Sequence, residues 1–436
     1  MSIKKEFAKY VSQNILGTLG VSCYIIADTF FIAQAAGANG ITVLNLALPI
    51  YNLIFAIGAM VGIGAATKFT ILRAQKDERA EYYFSNAIIS LFFVSIVFVL
   101  LGMFAPVKVL QFMGADHTIA RLGVDYFRIF LLFTPFFMIN YVFTAFVRND
   151  NDPALAMVAT VTSSLANVVF DYIFMFHLDM GLAGAALATA ASPIISILLC
   201  SLHFQKKTNT MRFVVKMPSI RRLVHSCQLG IPAFIAELSS GITTMVFNFL
   251  ILAIVGNIGV AAYGVVANFA LVAVAIFNGI AQGSQPLISK YYGKGDEKAT
   301  CQLLWMGVGT AMIIAVTVYA VVFGFTEMLV AMFNSENSME MGVYAFQGMR
   351  LYFTGFLFAG FNMVVSGYLS ATEHTVGSFV ISILRGVAAI VFFAFILAYL
   401  LGFTGVWLSF LAAEAVTAIV AVVCLYKLRR RPSGAI

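Results

Sequence analysis

Long apolar stretches alternate with short polar segments along the whole chain. Each stretch holds about 20 residues, the length that a helix needs to cross a bilayer and more than the ~9–11 residues of a membrane-spanning β-strand. We therefore predict an all-α integral membrane protein with twelve transmembrane helices, at residues 12–34, 45–67, 85–105, 129–147, 154–176, 181–202, 229–254, 260–287, 302–325, 350–371, 375–400 and 404–426.

The composition also indicates a lipid environment. Hydrophobic residues make up 61% of the 436 residues and charged residues only 10%, whereas a soluble globular protein carries about 25% charged residues. There is too little polar surface to cover a particle in water. This excludes a soluble enzyme, a secreted domain and a DNA-binding protein.

Lys and Arg are concentrated in alternate loops. If the N-terminus is cytoplasmic, the segments on that side hold 21 of the 26 Lys and Arg residues, and the outer segments hold four. Short cytoplasmic loops carry such an excess, so both termini are predicted to be cytoplasmic. The net charge of +7 is therefore explained by the basic residues of the cytoplasmic loops, and we expect no nucleic-acid partner.

The two halves of the chain repeat the same loop pattern. An offset of 219 residues aligns Gly37 with Gly256, and an offset of 221 aligns Gly181 with Gly402. Six spans in each half make the repeats parallel, related by a pseudo-two-fold axis along the membrane normal. The prediction is an N-terminal lobe, a basic cytoplasmic linker and a C-terminal lobe with a basic tail, at 1–202, 203–228 and 229–436.

Short motifs occur in order along both halves. They are Tyr24-Ile-Ile-Ala-Asp28, Pro49-Ile-Tyr through Gly62-Ile-Gly64, Phe146-Val-Arg148-Asn-Asp150-Asn-Asp-Pro153, Asn167-Val-Val-Phe-Asp171, Gly230-Ile-Pro232, Gln282-Gly-Ser-Gln285-Pro286 and Gly367-Tyr-Leu-Ser-Ala-Thr372. With twelve spans and a 6+6 repeat, they resemble the multidrug and toxic compound extrusion (MATE) family, whose superfamily includes lipid-linked oligosaccharide flippases. The resemblance implies export of bulky, often cationic amphiphiles, driven by inward proton or sodium flow.

Ionisable side chains inside the spans are the first candidates for chemistry, because each costs at least ~2.5–3.5 kcal/mol there. Asp28 and Asp171 lie 16 and 17 residues from the cytoplasmic ends of their spans, and hence at similar depth. Tyr24 and Asn167 each precede one of these acids by four residues, on the same helix face. Two such carboxylates cannot both stay ionised at low cost, so we predict a reversible proton carrier. The resemblance gives these four residues that role in proton-coupled relatives.

Further polar residues are candidates for a substrate or second ion site. Glu237 matches a carboxylate that some relatives use for sodium, but Asn362 stands where those relatives have an aspartate. We therefore expect Glu237 to bind a cationic drug or to carry a proton. Asn140 and Thr189 are additional candidates, for this site or for the Asp28 network.

Arg385 and Glu414 complete the set of ionisable residues inside spans. They lie at comparable depth in adjacent antiparallel helices, and an unpaired Arg there is very costly. We predict a buried structural salt bridge.

The leading hypothesis is a secondary transporter of the bacterial plasma (inner) membrane rather than an enzyme. It needs no cofactor or metal, only H⁺ or, less favoured, Na⁺ as coupling ion. We expect small amphiphilic cations as substrates, membrane lipid as surroundings, and a monomer. A flippase for lipid-linked oligosaccharide or lipid is the alternative, although Arg385 is the one central cation that could meet a diphosphate. An integral membrane enzyme would need a cluster of His, Asp or Glu at one interface.

Overall fold

The computed structural model describes residues 2–214, 217–333 and 338–429, and every regular element within them is a helix. Short 3₁₀ turns lie at Glu78–Ala80, Leu202–Gln205 and Phe353–Gly355, and π-helical turns at Ile173–His177 and Leu384–Ala388. The α-helices are α1 (Ile3–Gly37), α2 (Asn39–Ala74), α3 (Glu81–Phe104), α4 (Pro106–Phe112), α5 (His117–Leu132), α6 (Thr134–Asn149), α7 (Pro153–Tyr172), α8 (Gly181–Ser201), α9 (Ile220–Gly293), α10 (Glu297–Gly324), α11 (Thr326–Ala331), α12 (Met339–Tyr352), α13 (Phe356–Ala371), α14 (Thr375–Ile383), α15 (Ala389–Leu401) and α16 (Phe403–Arg429).

The helices account for the apolar stretches of the sequence. Within the described ranges, ten helices are long and apolar enough to cross a membrane, or eleven if the bent pair α5–α6 counts as one span. The all-helical prediction is confirmed, whereas the count of twelve and the sides of the termini stay predictions. Of the predicted basic segments, Lys216 and the tail residues Arg430 and Arg431 lie outside the described residues.

The fourth predicted span, 129–147, differs from the helices that the structure contains there. The helix begins at His117, twelve residues earlier, and bends by 45° between α5 and α6. Pro135 lies in the first turn of α6, and a proline ring cannot donate to or fit against the preceding helical turn. The bend at Phe133 therefore follows from the sequence, although the apolar pattern alone did not reveal it.

The aligned glycines adopt the same backbone conformation in the two halves. Gly37 has φ 58° and ψ −152°, and Gly256 has φ 74° and ψ −162°. Side chains with a Cβ avoid this region, so glycine is needed at both points. Gly256 interrupts the 74-residue helix α9, as Gly37 separates α1 from α2. Gly181 and Gly402, with φ 52° and 60°, match in the same way.

The chain forms two compact units. The first unit is Met1–Glu237 with Ser289–Glu297, and the second unit is Leu238–Ile288 with Lys298–Ile436. The boundary thus falls inside α9 instead of in the linker, because both ends of α9 pack against α2. The predicted lobes at 1–202 and 229–436 describe the sequence repeat, which is a different division from that of the compact units, and they stay a prediction.

Glycines allow α2 and the first turns of α9 to touch backbone to backbone within the first unit. A Cβ on Gly64 would lie 1.9 Å from the carbonyl oxygen of Ser226, and a Cβ on Gly230 would lie 1.7 Å from that of Met60. Real Cβ atoms do not approach so closely, so any side chain would force the helices apart. Small residues are the usual device for close helix contact in membranes.

We expect Gly230→Ala to destabilise the protein, because the added methyl has no room against Met60. Overpacking of this kind costs about 1–3 kcal/mol, so the apparent Tm in detergent should fall by several degrees. Gly264→Ala on the same helix is the control, since a Cβ added there would have no atom within 4 Å. An unchanged Tm for Gly230→Ala would contradict the close contact.

Candidate functional site

The central feature of the first unit is a pair of acids from two helices. The carboxyl groups of Asp28 on α1 and Asp171 on α7 lie close enough to form a hydrogen bond when one of them is protonated. Asp171 is fully buried. Two carboxylate oxygens at hydrogen-bond distance must share a proton, because neither can donate when ionised. The structure thus brings together the two acids predicted from helix depth, in an arrangement suited to one shared proton.

Asn167 connects the acid pair to α8. With its amide oriented to satisfy both neighbours, Nδ2 donates to Asp171 Oδ2 at 3.3 Å and Oδ1 accepts from the Thr189 backbone N–H at 3.2 Å. Asn167 is fully buried and lies one helical turn before Asp171. The amide thus holds Asp171 in place toward Asp28.

Several buried side-chain oxygens of the first unit accept no hydrogen bond. Among the described residues, these are Oδ1 of Asp28, Oδ1 of Asp171, Oγ1 of Thr189 and Oδ1 of Asn140. A buried acceptor without a donor costs about 1–3 kcal/mol. The first unit therefore has spare acceptor capacity for a proton, a water molecule or a cation at this point. Within the described ranges, no three His, Cys, Asp or Glu side chains group as a metal site.

Tyrosines surround the acids, and the sequence pattern identified only one of them. Tyr24 lies close enough to interact electrostatically with Asp28 and Asp171. Tyr51 on α2 and Tyr126 on α5 share a hydrogen bond between their hydroxyl groups, at 2.8 Å, and both lie near Asp28. Tyr126 was missed because its helix lies mostly before the predicted fourth span. A hydroxyl in an otherwise apolar stretch is the signal that could have identified both.

Glu237 belongs to the first unit and contacts a tyrosine. The hydroxyl of Tyr141 on α6 donates to Glu237 Oε1 at 3.3 Å. Tyr141 continues a group of packed aromatic rings, since its ring lies 6.2 Å from that of Phe55. An acid bordered by aromatic rings is a suitable environment for an organic cation.

Asn362 lies in the second unit, with a different acid. Its Nδ2 donates to Glu414 Oε2 at 2.6 Å and to the Glu414 backbone oxygen at 2.9 Å. Arg385, on a π-helical turn, donates to Glu414 Oε1 from Nε at 3.2 Å and from Nη2 at 2.9 Å. Glu414 is fully buried. Asn362 is thus bound to the Arg385–Glu414 ion pair, and Glu237 has Tyr141 as its partner.

Comparison with known proteins places this architecture in a family. The family model described as MatE matches residues 14–173 and 232–396, which is well over half of the chain. The chain belongs to the MatE family.

The relatives and solved structures that resemble this chain match it along nearly its full length. The multidrug export protein MepA of Staphylococcus saprophyticus is 27% identical over 433 residues, covering 99% of this chain and 95% of the relative. An outward-facing MATE transporter of the MOP superfamily superposes with a TM-score of 0.91 at 22% identity, over 99% of this chain and 98% of that one. A crystal structure of MATE in complex with MaL6 gives 0.92 at 22% identity and the same coverage. The fold of this MatE member is thus that of MATE transporters.

We expect Arg385 and Glu414 to be energetically coupled in this MatE member. Changing either to Ala should lower the folded yield strongly, since leaving one buried charge unpaired costs about 3–5 kcal/mol. The charge-swapped double variant should regain part of the loss. Thermal unfolding of the four proteins of the cycle measures the coupling. Strictly additive losses would reject it, and Glu340→Ala, which changes an exposed acid, serves as the control.

Proposed function

We propose that this protein is a secondary active multidrug exporter that couples efflux to the inward flow of protons. The observation that carries the proposal is the close approach of the Asp28 and Asp171 carboxyl groups. It supports a proton carrier because the pair needs a proton to form. The MepA relatives are named multidrug export proteins, which supports a transporter rather than an enzyme.

The proposed topology has twelve spans with both termini in the cytoplasm. Helix α9 has 74 residues, which at ~1.5 Å per residue is over three times the ~30 Å of a bilayer core. We therefore count it as two spans that meet at Gly256. With α5–α6 taken as one bent span, the described helices then supply six spans in each half. The charge distribution of the loops supports cytoplasmic termini in a bacterial plasma membrane.

The proposed coupling acts through the charge of the acid pair. Releasing the shared proton leaves a buried negative charge, which attracts an organic cation and disfavours close packing of α1 on α7. Binding the proton reverses both effects. A coupled exporter needs states that differ in their affinity for both ligands, and alternating access between such states then moves protons inward and the substrate outward.

Three features favour the proton over sodium. The carboxyls of Asp28 and Asp171 lie within hydrogen-bond reach of each other, a separation that suits a shared proton. Glu414 already has a cation, Arg385. Glu237 is bound by a tyrosine hydroxyl, which is a single neutral ligand, whereas sodium favours several oxygens. The coupling ion therefore acts at Asp28 and Asp171.

The proposed substrates are amphiphilic cations, with the protein acting as a monomer in lipid. Glu237 and the rings near Tyr141 supply negative charge and aromatic faces, which together favour organic cations. Asn140 and Thr189 offer acceptor oxygens for a substrate or an ion. A flippase needs cationic groups that can bind a diphosphate, whereas Arg385 is paired with Glu414. This disfavours the flippase alternative.

We expect Asp28→Asn and Asp171→Asn each to reduce efflux of a fluorescent cationic dye to background. The amide keeps size and hydrogen bonding but removes the group that titrates. Efflux from cells with matched membrane expression is the measurement. Asp125→Asn is the control, because this acid is exposed and pairs only weakly with Arg128, at 3.4 Å. Normal drug resistance in cells that express either amide variant would contradict the proton-carrier role of the two acids.

We also expect transport to follow the proton gradient. In membrane vesicles, an imposed proton gradient should drive dye transport, and a sodium gradient of equal size should add little. The reason is that the acid pair can exchange a proton, while Glu414 holds a fixed cation. Transport that persists with a protonophore but stops when choline replaces sodium would overturn this assignment and indicate Glu237 as the coupling site.

A further inference from the structure

The segment from His203 to Val214, here called the strap, lies across the first unit between α8 and α9. The backbone N–H of Val214 donates to Ser85 Oγ at 2.7 Å. The ring of Phe204 lies 5.8 Å from that of Phe84, and Met211 is almost fully buried. The strap is thus a packed element rather than a loose connection, and something must fasten its polar backbone.

A buried histidine fastens the start of the strap to the α6–α7 loop. His203 Nε2 lies 2.9 Å from Asp150 Oδ2, and Nδ1 lies 3.1 Å from Asp152 Oδ2. The imidazole is fully buried. Each ring nitrogen therefore faces a carboxylate oxygen, and neither has solvent as an alternative partner.

Both carboxylates also accept hydrogen bonds from other donors. Asp150 accepts from the backbone N–H of Thr210, at 2.6 Å, and from the Thr210 hydroxyl. Asp152 accepts from Lys206 Nζ at 2.6 Å and caps α7 through the Leu155 N–H. Burial raises the pKa of Asp152, but the hydrogen bonds from Lys206 and His203 outweigh it and lower that pKa overall. Both aspartates thus present carboxyl oxygens to the two ring nitrogens of His203.

The remaining titratable groups nearby come from two other helices. Cys200 on α8 lies near Asp152, and Tyr10 on α1 lies near both aspartates and Glu6. Tyr10 and Cys200 are neutral around neutral pH, with ordinary pKa values of about 10 and 8.5. The charges that face the imidazole are therefore two aspartates and Lys206.

A neutral imidazole has a single N–H and carries a lone pair on its other nitrogen. It can satisfy one of the two carboxylates, and its lone pair then faces the oxygen of the other. We propose that His203 is a proton-operated clasp: its imidazolium form fastens the strap to Asp150 and Asp152, and loss of the proton releases the strap.

The sign of the pH effect follows from which form makes the contacts. The imidazolium form makes both hydrogen bonds, so the clasp is closed on the acid side of the His203 titration. It opens as the pH rises through that titration. On the proposed topology the clasp responds to cytoplasmic pH.

Hydrogen–deuterium exchange of the full chain in lipid nanodiscs tests the clasp directly. Peptides that cover the strap should be protected near pH 6. After correction for intrinsic rates, they should exchange about tenfold faster near pH 9, because the charged hydrogen bond from His203 is lost. Exchange in the strap that does not change with pH would overturn the proposal.

Asp152→Asn is the diagnostic variant. The asparagine still caps α7, and its amide donates to the lone pair of a neutral imidazole, which keeps its single N–H for Asp150. The strap should then stay protected at alkaline pH. If alkaline opening persists in Asp152→Asn, another group controls the strap and the clasp is rejected.

Two histidine variants complete the test. His203→Gln should leave the strap poorly protected at every pH. The reason is that the neutral glutamine amide has no charged N–H to donate to Asp150 and Asp152. His225→Gln is the matched control, because His225 is the next histidine along the chain and its Nδ1 contacts Tyr83. It should keep the wild-type profile, and loss of the pH response there would assign the switch to His225.

Should His203→Gln fail to fold, the comparison of wild type with Asp152→Asn still decides. None of these outcomes depends on transport, so failure of the clasp leaves the proposed exporter untouched.

Discussion

The cost of placing a charge in a low-dielectric interior governs the polar residues of this protein. An ionised side chain there must be paired or neutralised, and the chain does this in different ways. Asp28 and Asp171 lie close enough to share a proton, whereas Glu414 is bound by Arg385. These solutions differ in one property: a shared proton can leave, but a guanidinium stays charged at any accessible pH. Each acid's partner thus decides whether its site can change state.

The backbone repeats between the halves, whereas the chemistry does not. Gly37 and Gly256 adopt the same positive φ, so the paired helices break at equivalent points. The same offset of 219 residues places Phe247 opposite Asp28, and the offset of 221 places Phe392 opposite Asp171. The second half therefore has no equivalent of the acid pair. The acid pair is thus confined to the first half, although the helix breaks are repeated in both halves.

Features set by local sequence could be predicted, and features set by tertiary contact could not. Apolar stretches gave the helices, and counting along them gave Asp28 and Asp171 equal depth. Helix α5 was missed because its first turns carry Arg121, Asp125 and Arg128, which interrupt the apolar pattern. The partner of Asn362 was not foreseen, since side chains on separate helices leave no spacing signal in one sequence. His203 lies in the short connection between α8 and α9. Its contacts with the α6–α7 loop were unpredictable because they too leave no spacing signal in one sequence.

The charged groups of the strap and of the acid pair obey the same rule with opposite consequences. In the acid pair, two acceptors compete for one proton, so the arrangement is incomplete without it and gains freedom to rearrange when it leaves. In the strap, one donor ring connects two acceptors that Lys206 and Thr210 already hold. Losing that proton leaves an acceptor facing an acceptor, which is repulsive in a site closed to water. On these proposals, buried protons act as structural contacts, and a change in pH is expected to alter the packing of α1 against α7 and of the strap against the α6–α7 loop.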